Sequence, residues 1–375
     1  MIPSTDAVAL TQSLLRFETV NPPGNEDQCA RALGTALESA GFKVRYHSFG
    51  PGRTNLLADI GGQSDRLPLC FTGHIDVVPL GAARWTKDPF AGETDAGRMY
   101  GRGSSDMKAG VAAFVAAAVR MAPHLERSPG LTLVITAGEE NGCEGAFHLH
   151  RDGVLGRAGA VVVAEPTANY PFVGHKGAFW LRAVASGVTA HGSMPEKGDN
   201  AVYKAARAVS KLESFRFDNP PHALMGQATL NVGTFHGGLN INSVPDRATV
   251  GIDIRTVPTV DHRQLLAALK AQVGPDVELE TIIDLESVYT DPDVPWMQSV
   301  FDVMTPILGA RPAPRSATYF TDAAALNLAY RNPPTVILGP GEPQMAHQTD
   351  EYCVVERIGQ SVSAYEEIIR RWCLA

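Results

Sequence analysis

The 375-residue sequence contains no stretch of 18 or more apolar residues, so nothing in it reads as a membrane-spanning helix. Its first ten residues have neither a basic region nor a long apolar one, which argues against a secretory leader. Lys and Arg never gather into a run, and the net charge of −8 opposes a polyanionic partner, so nucleic acid is not an expected ligand. Cysteine is sparse: Cys29, Cys70, Cys143, Cys353 and Cys373 are odd in number, scattered and without a C-x-x-C pair, the usage of a protein kept in a reducing compartment. Cytoplasmic location is the expectation. A serine-hydrolase elbow, G-x-S-x-G, is missing, and so is the H-E-x-x-H of single-zinc proteases. No internal repeat or low-complexity tract occurs.

What the chain does have is apolar content, 44% against 19% charged residues, enough to bury a large core. At this length about two domains are expected. Helical spacing runs from Asp6 to Phe17 and stops before the turn Asn21-Pro22-Pro23-Gly24; a second helix spans roughly Glu26 to Ala40. Short, nearly continuous apolar runs come next, at Leu67 to Thr72, Leu131 to Thr136, Val161 to Ala164 and Thr335 to Leu338. Such runs read as strands buried on both faces of a mostly parallel sheet. The Ala-rich stretch Met107 to Ala122 is helical, which makes the fold class α/β.

The middle of the chain has another rhythm. Strand Ala178 to Ser186, helix Asn200 to Leu212, strands Ala228 to Phe235 and Ala248 to Thr256, helix His262 to Val273 and strand Val277 to Ile283 give βαββαβ, the ferredoxin-like α+β order. The expected organisation is a large α/β domain from 1–176 and 285–375, with a small domain, 177–284, inserted in it.

Each buried run leads into acids or imidazoles: His74 and Asp76 after the first, Glu139 and Glu140 after the second, Glu165 after the third, and His347 within nine residues of the fourth. Ligands of open α/β sheets bind beyond the carboxyl ends of the strands, so these groups should share one crevice with Asp106, at the head of the Ala-rich helix. Singly, each has an ordinary explanation. A lone His is usually just hydrogen-bonded, Glu139-Glu140 could be a solvated helix start, and Asp106 could be an N-cap. Their joint occurrence after successive strands favours an N/O site for divalent cations, and the surplus of ligands favours two.

The segments Thr72 to Pro79, Gly101 to Gly110, Ala137 to Glu140, Ala164-Glu165-Pro166 and Ala346 to Glu351, with Trp85 and Asp88-Pro89-Phe90 between the first two, carry a resemblance across nearly the whole chain. They resemble the signatures of the metallopeptidase family that contains acetylornithine deacetylase, succinyl-diaminopimelate desuccinylase, aminoacylase and bacterial glutamate carboxypeptidase. The resemblance implies a zinc-peptidase catalytic domain and, in 177–284, a lid and dimerisation domain, hence a homodimer. It implies two divalent metals, zinc with cobalt as the alternative: His74 and Glu165 on one, Glu140 and His347 on the other, Asp106 bridging. Asp76 would orient His74, Glu139 would be the general base, and His191, in Ala190 to Pro195, would stabilise the oxyanion in a neighbouring active site. Asn242 and Arg255 are similar to substrate contacts, although Arg255 could equally form an ion pair with Asp253. Gly339 and Gly341 would let backbone approach the substrate. The implied activity is hydrolysis of an N-acyl amino acid, with a glutamate-releasing exopeptidase acting on short peptides as the alternative and an inactive binding homologue as a third possibility.

Overall fold

Leu69–His74 is the buried axis of the first of two units, and every one of its residues is shielded from solvent. Leu131–Thr136 and Ala160–Val163, both entirely buried, flank it in parallel. The computed structural model describes residues 2–374. The chain divides into Met1–Gly174, Tyr289–Arg315 and Thr321–Ala375 as one unit and His175–Val288 with Ser316–Phe320 as the other.

The first unit is built on a six-stranded sheet in the order Lys43–Gly50, Arg53–Ile60, Leu131–Thr136, Leu69–His74, Ala160–Val163, Thr335–Ile337. The last four run parallel, as continuous apolar runs demand when helices cover both faces. The first two are antiparallel, and the reading of apolar runs did not include them. Lys43–Gly50 is an edge strand that is only partly buried, so its sequence mixes Lys, Arg, His and Ser with its apolar residues.

The Ala-rich helix, Lys108–Met121, is buried on almost every side, which explains its composition. Small side chains let it approach the sheet closely: a Cβ on Gly110 would stand 2.1 Å from the Ala164 carbonyl oxygen, next to Glu165. Phe114 packs on Phe71 of the central strand, with ring centroids 5.9 Å apart. Phe71 in turn meets Tyr365 of the C-terminal helix Val355–Cys373 edge-on at 5.1 Å. Lys108 is fully buried and donates from Nζ to the carbonyls of Leu14 and Phe17, where the helix Ala7–Leu15 ends and its dipole is negative. Among the described residues no helix is long and apolar enough to cross a membrane.

The second unit is an antiparallel four-stranded sheet in the order Thr229–Gly237, Arg247–Thr256, Gly177–Ser186, Val277–Leu285. Helices Ala201–Glu213 and His262–Val273 contribute Ala205, Ala208, Leu265 and Leu269 to the same core as Phe179, Leu181, Ile252 and Ile254. Burial along Arg247–Thr256 alternates residue by residue, the period of a sheet with one covered face. Asn200 and Asp261 cap the helices through side-chain oxygens. The element order is βαββαβ, and the strand order is that of a ferredoxin-like sheet.

Gly110 sets two effects against each other. In an open helix Gly→Ala stabilises by about 1 kcal/mol, but here the added methyl would collide with backbone, and overpacking costs about 1–3 kcal/mol. Gly110→Ala is therefore expected to lower stability, read as a lower urea midpoint at unchanged m-value. A raised midpoint would show that the helix can withdraw from the sheet.

Candidate metal centre

Parallel pairing aligns the carboxyl ends of the strands, with His74 opposite Thr136 and Thr72 opposite Val163. His74 is the last residue of its strand, and Glu139, Glu140 and Glu165 come directly after the neighbouring ones. His74 Nδ1 lies 2.9 Å from the carbonyl oxygen of Asp76, to which it can only donate, so Nδ1 carries a proton and Nε2 is the nitrogen left for a ligand or a second proton. Nε2 faces Asp106 Oδ1 at 3.2 Å and Glu165 Oε1 at 3.7 Å. The other oxygen of Asp106, Oδ2, is 3.5 Å from His347 Nε2, which also lies 3.0 Å from Glu140 Oε2. Asp106 thus turns one oxygen to each imidazole. It does not cap the helix behind it: Met107 holds the cap position and no side chain bonds there.

The structure brings His74, Asp106, Glu139, Glu140, Glu165 and His347 together. His74, Asp106 and Glu140 offer ligand atoms within 4.8 Å of one another, and so do His74, Glu139 and Glu165. Glu140 Oε1 is buried with no hydrogen-bond partner among the described residues, an arrangement expensive for a carboxylate unless a cation faces it. The donor set and the orphaned oxygen fit divalent metals that accept nitrogen and oxygen ligands.

The protonation pattern points the same way. Burial, reinforced by the charge of Glu165, holds the Glu139 carboxyl well above the ordinary range; burial and the charge of Asp106 do the same to Glu165, against the pull of His74. Burial works against a charged His74 ring, but Glu165, Asp106 and Asp76 outweigh it and raise its pKa. Hydrogen bonds to Asp106 and Glu140 lift His347 to about 10. Without a cation, protons must do the neutralising, and metal binding would release them.

Two further carboxylates fix the loops that carry these groups. Asp76 faces the His74 ring with both of its groups, the main-chain carbonyl at 2.9 Å and the carboxylate at 3.5 Å. The carboxylate also accepts the backbone N–H groups of Glu139 at 3.1 Å and Glu140 at 3.3 Å. Glu351 does the equivalent for the Asp106 loop. It accepts from the N–H groups of Gly103, Ser105 and Asp106 at 2.8 to 3.0 Å and from the buried Arg102 guanidinium at 2.7 Å. Asn55 accepts from the N–H of Ala137, and Asp322, which burial pushes up to about 6, bonds Thr136 beneath Glu139. Sequence patterns assign no role to Glu351, Asn55 or Asp322. The only signal for Glu351 is its place at the end of the segment Ala346 to Glu351.

Gly339 and Gly341 are each required by the packing of the chain itself. A Cβ would meet the Ala164 carbonyl oxygen at 2.2 Å in the first and that of Ser105 at 2.1 Å in the second, so the chain's own backbone demands glycine at both. His191 and Asn242 belong to the second unit, where their segments pair: Gly192 N–H donates to the Asn242 carbonyl at 2.7 Å. Both residues are exposed. Arg255 lies in the same unit and forms the ion pair weighed for it, Nε to Asp253 Oδ1 at 3.0 Å, beside the rings of Trp180 and Phe320. His262, Asp284 and Glu286 also cluster in this unit, but Asp284 and Thr256 occupy both ring nitrogens, leaving no free lone pair.

An acetylornithine deacetylase from Proteus mirabilis is 29% identical over 358 residues, which span 92% of this chain and 89% of that protein. A probable succinyl-diaminopimelate desuccinylase from Staphylococcus epidermidis is 28% identical over 400 residues, with 98% of both chains covered. An M20 family metallo-carboxypeptidase from Sulfolobus solfataricus shares the fold, with a TM-score of 0.82 over 98% of this chain and 99% of the other at 17% identity. The sequence pattern of Peptidase family M20/M25/M40 matches residues 70–371. That stretch is most of the chain and holds every acid and imidazole of the cluster from His74 to His347, and the protein therefore belongs to Peptidase family M20/M25/M40.

Proposed function

We propose that this protein is a metal-dependent deacylase that hydrolyses the amide bond of a small N-acyl amino acid. The observation that carries the reading is a cation-ready cluster bordered by Glu139, a buried carboxyl whose pKa is raised by burial and by Glu165. The names of the Proteus and Staphylococcus relatives, a deacetylase and a desuccinylase, support the substrate class. In this reading His74 and Glu165 would hold one cation, Glu140 and His347 the other, and Asp106 would serve both, with zinc as the metal and cobalt as the alternative. Such a pair supplies Lewis acidity, polarising a carbonyl and making a water molecule acidic. Glu139 takes the proton of the attacking water on its carboxylate and hands it to the departing amine nitrogen. Asp76 keeps Glu139 in place through the backbone amide.

The test is a panel assay of the metal-reconstituted protein on N-acetylornithine, N-succinyl-diaminopimelate, N-acetylated neutral amino acids and glutamyl conjugates. Release of an acyl group from an N-acyl amino acid is expected. Glutamate release alone would replace the deacylase by an exopeptidase, and no turnover with both metals bound would make the protein a binding homologue.

Glu139 and Glu140 should separate chemistry from metal binding. Glu139→Ala is expected to keep both metals and lose about 100-fold or more in kcat, since a positioned general base contributes roughly 10²–10⁴-fold. Glu140→Ala is expected to lose metal, because it removes a ligand and leaves other buried acids unneutralised. Metal analysis alongside single-turnover kinetics checks both, and the opposite pattern would reverse the two roles.

The second unit is proposed to act as lid and dimerisation domain, with His191 serving the active site of a neighbouring copy. His191 Nδ1 accepts the N–H of Ser193 at 3.2 Å, so Nε2 carries the proton and is available as a donor on an exposed ring. Strand Thr229–Gly237 is an exposed sheet edge carrying Phe235, with Leu239 and Ile241 exposed just beyond it, the character of a pairing surface. Sedimentation should give a dimer. His191→Ala is expected to lose about 100-fold in kcat, the cost of one oxyanion donor, and activity should return when it is mixed with Glu139→Ala. A fully active monomer would remove this role.

A further inference from the structure

The turn Asn21-Pro22-Pro23-Gly24 lies outside the stretch matched by the family and plays no part in the chemistry above, yet the Asn21 side chain is 1% exposed and ends at the catalytic loop. Its backbone N–H donates to the Val77 carbonyl at 2.8 Å, which fixes the residue beside the segment after His74. Its amide Nδ2 donates to Asp76 Oδ2 at 2.9 Å, and its Oδ1 accepts from Asn141 Nδ2 at 2.7 Å. The Asp76 carboxylate accepts the amides of Glu139 and Glu140, and Asn141 is the next residue along. One side chain therefore grips the loop of Glu139 at both ends of its hydrogen-bonding pattern.

We propose that Asn21 is a positioning residue for Glu139. The inference rests on Glu139 being the proton carrier. The chemistry selects asparagine. An ionised carboxylate can only accept, so the group facing Asp76 must be a donor, while the group facing the Asn141 amide must be an acceptor, and a planar carboxamide offers both from one short stem. Aspartate would set a second negative charge against the buried Asp76, and leucine would leave Asp76 Oδ2 and the Asn141 amide without this partner. Asn21 touches none of the proposed metal ligands directly through its side chain; it reaches Glu139 through Asp76, whose Oδ1 accepts the Glu139 amide while Oδ2, the oxygen that Asn21 bonds, also accepts that of Glu140, so metal content is measured beside kcat. Displacing a catalytic group by about 1 Å can cost on the order of 100-fold in rate.

The test is a double-mutant cycle on the metal-loaded protein with the N-acyl substrate that it turns over best. Asn21→Ala is expected to keep both metals and a KM within about twofold while kcat falls about tenfold or more. In the Glu139→Ala background the same substitution should change kcat less than twofold, because the group it positions is gone. A full loss in that background, an unchanged kcat in the single variant, or a kcat that falls only in step with metal content would each overturn the proposal. If Asn21→Ala does not fold, Asn141→Ala decides the matter. It removes only the outer contact and should lower kcat severalfold at constant KM, and an unchanged kcat would then reject the assignment. Near-normal turnover in Glu139→Ala alone would count against the base mechanism, a result separate from any of these.

Discussion

Negative charge gathered in a place where water cannot screen it governs this molecule. Asp76, Asp106, Glu139, Glu140 and Glu165 lie around the carboxyl ends of adjacent strands, with Glu351 close behind, and an uncompensated buried carboxylate costs several kcal/mol. The chain meets that cost in two ways. Asp76 and Glu351 have their oxygens filled by backbone N–H groups and, for Glu351, by the Arg102 guanidinium, which makes them fixed parts of the scaffold. Asp106, Glu140 and Glu165 instead turn oxygens toward imidazoles and toward one another, and Glu140 keeps one oxygen with no partner. The first group holds loops, and the second makes up the proposed cation cluster.

That division makes the loops as important as the ligands. Glu140 can stand opposite His347 because Asp76 holds its amide, and Asp106 can face both imidazoles because Glu351 holds the turn from Gly103 to Asp106. Close packing completes the support. The Ala-rich helix lies against the strand leading to Glu165, with Gly110 over the Ala164 carbonyl, and Gly339 closes on that carbonyl from its own loop. A methyl group at either glycine would push against the backbone that carries a proposed metal ligand. Packing density in the core and precision in the site are therefore one constraint, met by the same small residues.

The second unit obeys a different economy. Its alternating strands and capped helices make a self-contained core, and its exposed features, His191, the loop with Asn242 and the edge strand Thr229–Gly237, are surface properties of that core. Arg255 lies half inside it, its charge already shared with Asp253, so any anion it met would compete with that carboxylate.

The sequence by itself determined the fold class, the βαββαβ unit and the grouping of His74, Asp106, Glu139, Glu140, Glu165 and His347. Apolar runs buried on both faces carry no other periodicity, and the residues just after each run must lie beyond the strand ends in space. It did not disclose Lys43–Gly50, an edge strand that needs little burial and so leaves a weak apolar pattern, nor Arg53–Ile60 beside it, whose buried residues include the polar Thr54 and Asn55. Nor did it show that the Asp76 carboxylate accepts the amides of Glu139 and Glu140, that Glu351 supports Asp106, or that the chain's own backbone leaves no room for a side chain at Gly339 and Gly341. Those choices were made only by tertiary structure, since a hydrogen bond between Asp106 and Glu351 joins residues 245 positions apart and leaves no trace in the local spacing of either.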